Sequence, residues 1–258
     1  MTHAQTLAQT LARAIATGHQ IAPISDSDAG FDLAAGYDAQ AALTALRLDA
    51  GARVIGIKVG FTNTQIWDRY GIRAPIHAPV FDTTLARGTV SVAGLMEPLI
   101  EPEVVLRLRA TPAPDMDDAA LLACVEAAAP GFEIVHSVFP DWRCKAADSI
   151  AAGGMHAALA LGEWVPVDAG WTRPLRDFSV SLTRDDMEQD QGRAENLLGE
   201  GPLAVLRHLV GLRTCPPLRP GNLVSTGTIT RALPVAAGQT WRAEFRGLPV
   251  APVALRLT

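Results

Sequence analysis

Apolar residues recur at three- and four-residue steps through the first segment, at Ala4, Leu7, Ala8, Leu11, Ala12, Ile15 and Ala16. That spacing predicts an amphipathic helix closed by Gly18. Its polar face carries little positive charge, so the stripe reads as core packing rather than a membrane-surface anchor. The loop over residues 23–28 supplies several capping side chains, and a second helix is predicted over 32–48, ended by Gly51. After Gly51 the period changes to two. Ile55, Ile57, Val59 and Phe61 share one face, and Lys58 falls on the other between Gly56 and Gly60. Glycines on both sides leave room for a group to approach that lysine.

A short helix is predicted over 64–70, followed by a proline-rich passage over 74–82. Beyond it the pattern is of short strands bounded by Gly and Pro, at 89–93, 99–108, 132–137, 156–161, 178–183, 223–230 and 240–245. Two helices interrupt them, one over 117–128 and one opening at Gly201-Pro202 with proline in its first position. Strands without regular helix alternation predict an α+β fold. The expected division is a helical N-terminal portion with the lysine-bearing strand, 1–72, and a β-rich portion, 73–258.

Composition narrows the function classes. With 48% hydrophobic and 19% charged residues the chain is an ordinary globular one, not a disordered or collagenous one. Lys and Arg number 22 against 27 Asp and Glu, and a net charge of -5 argues against a nucleic-acid partner. Cys124, Cys144 and Cys215 are odd in number and lack zinc-ligand spacing, so free thiols are expected rather than a disulfide framework. No apolar run reaches the ~18 residues of a membrane span. The first basic residue after the start is Arg13, so no secretory leader is read and a cytoplasmic protein is expected.

The strongest chemical signal is Ile100-Glu101-Pro102-Glu103-Val104. On a strand, Glu101 and Glu103 point the same way, and paired carboxylates either bind a divalent cation or form a solvated face balanced by Arg107 and Arg109. Glu133 sits between Phe132 and Ile134, where a buried glutamate needs a partner, either the same cation or an arginine. Lys58 in an apolar strand has two readings: an acid/base with a pKa lowered by burial, or a snorkelling edge residue. Asp82 could hold that lysine or simply form a turn. The six histidines are scattered without a ligand motif, and no nucleotide-binding or nucleophile-elbow motif is present. Ser225-Thr226-Gly227-Thr228 could offer hydroxyl and N–H donors to a carboxylate, or be a bulged strand.

Taken together these segments resemble the fumarylacetoacetate hydrolase superfamily, in its 2-hydroxypenta-2,4-dienoate hydratase and 4-oxalocrotonate decarboxylase branch. The resemblance runs nearly end to end. It includes Gly56-Ile57-Lys58-Val59-Gly60-Phe61-Thr62, Phe81-Asp82, Glu101-Pro102-Glu103, Phe132-Glu133-Ile134-Val135-His136-Ser137, Gly201-Pro202-Leu203-Ala204 and Pro220-Gly221-Asn222-Leu223-Val224-Ser225-Thr226-Gly227-Thr228. The chain departs from the branch at His136-Ser137-Val138, where an acid and an arginine are usual. It departs again at 151–155, where the branch has Ala-Asp-Asn-Ala-Ser and this chain has Ala-Ala-Gly-Gly-Met followed by His156.

The resemblance implies a mixed, strongly bent β-sheet with a small helical N-terminal portion. It implies Mg²⁺ or Mn²⁺ held by Glu101, Glu103 and Glu133, with Lys58 and Asp82 as the proton-handling pair. Substrate contacts are implied at Gly60, Phe61, Thr228 and His156. The implied activity is that of a lyase, a hydratase or decarboxylase, on a small 2-oxo or 2-hydroxydienoic acid from aromatic-compound catabolism. No nucleic-acid or membrane partner is implied, and the expected assembly is a dimer or a multiple of dimers. Two alternatives remain: an acylpyruvate C–C hydrolase, and a non-enzymatic member that assembles a partner enzyme. The hydrolases use a His–Glu dyad on an N-terminal lid, and the corresponding loop, 23–33, has no histidine. The lysine and three glutamates count against the non-enzymatic alternative.

Overall fold

The computed structural model describes residues 2–64, 67 and 72–258. The helix predicted over 64–70 lies mostly outside the described residues. Helix α1, His3–Thr17, opens on a Thr2/Gln5 capping box and closes on Gly18 at φ 65°, the left-handed cap that glycine accepts without strain. The short α2, Ile24–Ser27, leads to α3, Leu33–Asp49, capped by Asp32. Helix α1 packs on α3, and α2 and α3 pack on α5, Ala146–Ala151, which follows α4, Asp118–Ala123. The last helix, α6, is Pro202–Gly211.

The strands are β1, Val54–Gly60; β2, Ile76–Phe81; β3, Leu85–Ala86; β4, Thr89–Val90; β5, Leu99–Leu108; β6, Val125–Val135; and β7, His156–Leu161. They continue with β8, Val165–Pro166; β9, Ser179–Arg184; β10, Met187–Arg193; β11, Leu223–Ser225; β12, Leu233–Pro234; β13, Thr240–Arg246; and β14, Val253–Leu257. A mixed nine-stranded sheet runs β2-β1-β11-β5-β6-β7-β3, with β12 on β5 and β8 on β6, and it curls into a half-barrel. A second sheet runs β10-β9-β13-β14-β4. The α+β class and the bent sheet match the expectation.

Alternation along β5 decides what faces what. Val104, Leu106 and Leu108 join Phe132, Val180, Leu182, Trp241 and Phe245 in the main core. The opposite face of β5 carries Glu101, Glu103 and Val105, and Val105 packs with Val80, Leu159 and Leu223. The helical layer forms a further core through Leu11, Phe31, Leu43, Val138 and Phe139. Gln40 of α3 ties that layer down, donating to the carbonyls of His77 and Ile150 at 3.0 Å each.

Three readings of the sequence change. The helix predicted over 117–128 stops at Ala123, and residues 125–135 form a central strand. Its alanines favour helix in isolation, but pairing with β5 and burial on both faces override that propensity. The proline-rich passage contains β2, with Pro79 partly exposed on this sheet-edge strand. The Lys58 strand pairs with β2 and β11, both from beyond residue 72, so the expected boundary at 72 runs between hydrogen-bonded strands. Among the described residues no helix is long and apolar enough to cross a membrane, and the three cysteines are free.

Candidate active site and metal centre

Strand register assembles the acids. Glu101 of β5 lies directly opposite Glu133 of β6, and Glu103 lies one face-sharing step along, opposite Gly131. One carboxylate oxygen from each of Glu101, Glu103 and Glu133 falls within 4.8 Å of the others. Glu103 and Glu133 are fully buried, and Glu101 is partly exposed. Such a cluster is costly unless cations or protons compensate it.

The compensation is visible in part. Lys58, on β1, donates to Gly154 O at 3.0 Å and forms an ion pair with Glu133 Oε2 at 3.1 Å. His156 Nδ1 lies 2.7 Å from Glu133 Oε1. Glu103 Oε2 accepts from Ser225 Oγ at 2.5 Å and from the Gly227 N–H at 3.0 Å. Glu103 Oε1 is buried with no hydrogen-bond partner.

These surroundings set the charges. Burial, reinforced by Glu133, raises Glu101 to about 7, and burial with both other glutamates raises Glu103 well above the usual carboxylate range. Glu133 behaves oppositely: burial pushes it up, but Lys58 and His156 outweigh that and hold it below its ordinary value. Burial alone would depress Lys58, as the sequence suggests. Glu133, Glu101 and Glu103 more than offset this and raise its pKa, so Lys58 is a held ammonium rather than a lysine depressed toward neutrality.

No family model matches the chain. A 2-keto-4-pentenoate hydratase of Burkholderia vietnamiensis is 30% identical over 255 residues, covering 94% of this chain and 93% of the relative. The chain belongs to the 2-keto-4-pentenoate hydratase family. A 2-hydroxyhexa-2,4-dienoate hydratase of Comamonas testosteroni is 25% identical, covering 95% and 94% of the two chains. The 4-oxalocrotonate decarboxylase of Pseudomonas putida G7, complexed with magnesium and adipate, superposes at a TM-score of 0.91 with 21% identity, covering 100% of this chain and 99% of its own. Fumarylpyruvate hydrolase of Pseudomonas aeruginosa, with Mn²⁺ and pyruvate, gives 0.58 at 16% identity, covering 78% and 88%. These two likenesses show the fold. This member of the hydratase family is an enzyme, a lyase.

In this hydratase-family chain Lys58, Glu101, Glu103 and Glu133 come together, and Gly60 stands beside them. A Cβ on Gly60 would lie 3.7 Å from Lys58 Nζ. Phe61 follows at φ 59°, its carbonyl accepting from Trp67 Nε1 at 2.8 Å. Asp82 is a correction. It accepts from the Arg53 N–H at 2.9 Å and from Arg53 Nε at 2.8 Å, and it does not hold Lys58. It follows Phe81, whose strand partner is Val54. Four residues separate Val54 from Lys58, about 13 Å along a strand.

Two further expectations shift. Both ring nitrogens of His156 are engaged, Nδ1 with Glu133 and Nε2 with Thr84 Oγ1 at 2.8 Å, so the ring does not present a free nitrogen to a substrate. The donors of the hydroxyl-rich strand do meet a carboxylate, but it is that of Glu103. Thr228 Oγ1 donates to Thr230 O at 3.0 Å. Gly227 is required where it stands: its φ is 93°, and a Cβ there would lie 2.1 Å from Thr62 Oγ1. Sequence reasoning reads Ser225 as a donor to a carboxylate without naming its partner, and the residues it passes over as site members are Thr84 and Gly154. The only local signals are the clustering of hydroxyls around Ser225 and the Gly153-Gly154 pair.

Proposed function

We propose that this enzyme is a divalent-cation-dependent hydratase acting on a small 2-oxo or 2-hydroxydienoic acid in aromatic-compound catabolism. The observation that carries the reading is the buried trio of carboxylates with an orphaned Glu103 Oε1. A buried oxygen without a donor costs free energy unless something positive meets it, and three oxygen donors from one curled sheet suit a hard cation. Glu101, Glu103 and Glu133 would hold Mg²⁺ or Mn²⁺. When bound, the cation would supply Lewis acidity to the carboxylate and C2 oxygens of the acid.

The remaining work falls to the chain's own groups. Lys58 keeps a proton on Nζ at the floor of the site, steadied by Gly154 O. An ammonium has three donors, so Lys58 can still present an N–H to the substrate and exchange a proton with it during the enol–keto step. Gly60 keeps the approach to Nζ free of a side chain. Ser225 and the Gly227 N–H fix Glu103 so that its other oxygen points into the site. A cytoplasmic location and assembly as a dimer or a multiple of dimers belong to the same proposal.

The test is product analysis with 2-hydroxypenta-2,4-dienoate, 4-oxalocrotonate and acylpyruvates, with Mg²⁺ or Mn²⁺ and with EDTA. The expected result is hydration of the dienoate, abolished by EDTA and by Glu103→Ala. CO₂ release from 4-oxalocrotonate as the faster reaction would replace hydratase by decarboxylase. Cleavage of an acylpyruvate alone, or activity indifferent to EDTA, would sink the lyase reading.

A further inference from the structure

We propose that His156, held in place by Thr84, is a positioning residue that fixes the carboxylate of Glu133 for the divalent cation. The inference rests on the metal reading above. It starts from strand parity. Leu159 pairs with Glu133 and packs on the inner side of the curl, whereas Ala160 belongs to the core on the other side. Regular alternation from Leu159 would put His156 on the outer face with Ala158 and Ala160. The β6–β7 register shifts between Ile134 and Val135, so that Val135 pairs with His156 and Ala157 is the extra residue. A bulge of this kind re-aims the side chain beside it. The imidazole therefore reaches Glu133, on the inner face.

The ring is gripped from both ends. Its side chain is 2% exposed and that of Glu133 is 1% exposed, so no water competes for the contact. Nδ1 faces Glu133 Oε1 at 2.7 Å, and the ionised carboxylate offers only acceptors, which makes Nδ1–H the donor. Nε2 faces Thr84 Oγ1 at 2.8 Å, and the same hydroxyl lies 2.9 Å from Phe81 O. Thr84 suits either state of Nε2: it accepts from Nε2–H while donating to Phe81 O, or it donates to a bare Nε2. It stands in a tight turn, Asp82–Thr84, directly after β2.

What this does to Glu133 follows from its other contact. With Lys58 alone the carboxylate could swing to share both oxygens with the ammonium. His156 holds Oε1 by a hydrogen bond while Lys58 pairs with Oε2, so the carboxylate is fixed from both sides beside Glu101 and Glu103. Groups that orient a metal-ligating side chain in this way are worth about 10- to 100-fold in metal affinity.

The test is Mn²⁺ titration of the purified full chain, followed by the electron paramagnetic resonance of free Mn²⁺, with the thermal midpoint of each metal-free protein measured alongside. His156→Ala is expected to weaken Mn²⁺ binding about 10- to 100-fold. Thr84→Val should weaken it by a smaller factor, and Thr84→Ser should match wild type. A folded His156→Ala protein that binds Mn²⁺ within about two-fold of wild type overturns the inference, as does a fall in thermal midpoint without a change in affinity. If His156→Ala does not fold, Thr84→Val decides, since it removes one hydroxyl at constant volume; binding as tight as in Thr84→Ser overturns the inference. Loss of binding in Glu103→Ala but not in the His156 and Thr84 variants leaves the metal reading standing and removes only this inference. Failure of the wild-type chain to bind Mn²⁺ overturns both.

Discussion

Gly153 and Gly154 are adjacent and share a left-handed backbone, φ 69° and 64°, yet their surroundings differ completely. A Cβ on Gly153 would meet nothing within 4 Å. One on Gly154 would lie 2.9 Å from Ala78 Cβ, 3.2 Å from Lys58 Cδ and 3.7 Å from Lys58 Nζ. Alanine at either position carries the left-handed penalty of about 1–2 kcal/mol. At 154 it adds an overpacking cost of about 1–3 kcal/mol. Ala78 Cβ is fixed to the backbone of β2, so the turn must shift away from it and against Lys58, which breaks the hydrogen bond between the ammonium and Gly154 O. Urea unfolding should therefore place Gly153→Ala about 1–2 kcal/mol below wild type and Gly154→Ala about 2–5 kcal/mol below, at equal m-values. Turnover with Mg²⁺ should be near wild type for the first. For the second it should fall by up to about 100-fold, the cost of roughly 1 Å of misplacement of a reacting group. Equal destabilisation of the two variants, or full turnover in a folded Gly154→Ala enzyme, would refute the packing of this turn against Lys58.

Lys58→Met leaves Glu133 with one cationic neighbour fewer in a buried site; it should destabilise the fold by about 3–5 kcal/mol and lower turnover by about 10²–10⁴-fold, read by urea unfolding and steady-state kinetics. Asp82→Asn breaks an exposed pair with Arg53, far from the ammonium, and should leave kcat within about two-fold of wild type; a loss like that of Lys58→Met would restore Asp82 to the reaction. His77 and His136 are both pushed down to about 4 by burial. The unfolded chain protonates them near 6.5 and the folded chain does not until about 4. Their contribution to stability is therefore present above about pH 6.5 and lost as pH falls toward 4, so the urea midpoint should drop between pH 7 and 4.5, and less so in His77→Gln.

The acidic face of β5 is legible in the sequence because strand alternation is a local rule that places Glu101 and Glu103 together without knowledge of any other strand. Glu133 is only half legible. Its apolar flanks announce burial, but its position opposite Glu101 is set by the β5–β6 register, which depends on the whole sheet. The charge state of Lys58 is hidden for the same reason: burial, the part visible locally, is outweighed by carboxylates from two other strands. The place of Asp82 depends on a strand pairing that the sequence does not display: β2 runs antiparallel to β1 and carries its C-terminal end away from Lys58. The helix predicted over 117–128 fails where alanine-rich sequence is drafted into a central strand. The partner of His156 is beyond sequence reasoning altogether, since a single extra residue in β7 reverses the face on which the ring lies.

The carboxylates and the ammonium come from β1, β5 and β6, and their supports from β7, β11 and the turns beside them, spread from residue 58 to residue 227. The three carboxylates share the strand pair β5–β6, but the groups that hold Glu103 and Glu133 in place come from β1, β7 and the segment after β11, so a cation meets an ordered site only once the curled sheet has closed in register. Mg²⁺ or Mn²⁺ would then act on folding as a latch rather than a seed. It would leave the refolding rate almost unchanged, slow unfolding in proportion to its occupancy, and add RT ln(1 + [M]/Kd) to stability. In the metal-free enzyme Glu101 and Glu133 face each other across the two central strands, and Glu101, raised to about 7, eases their repulsion only by taking up a proton.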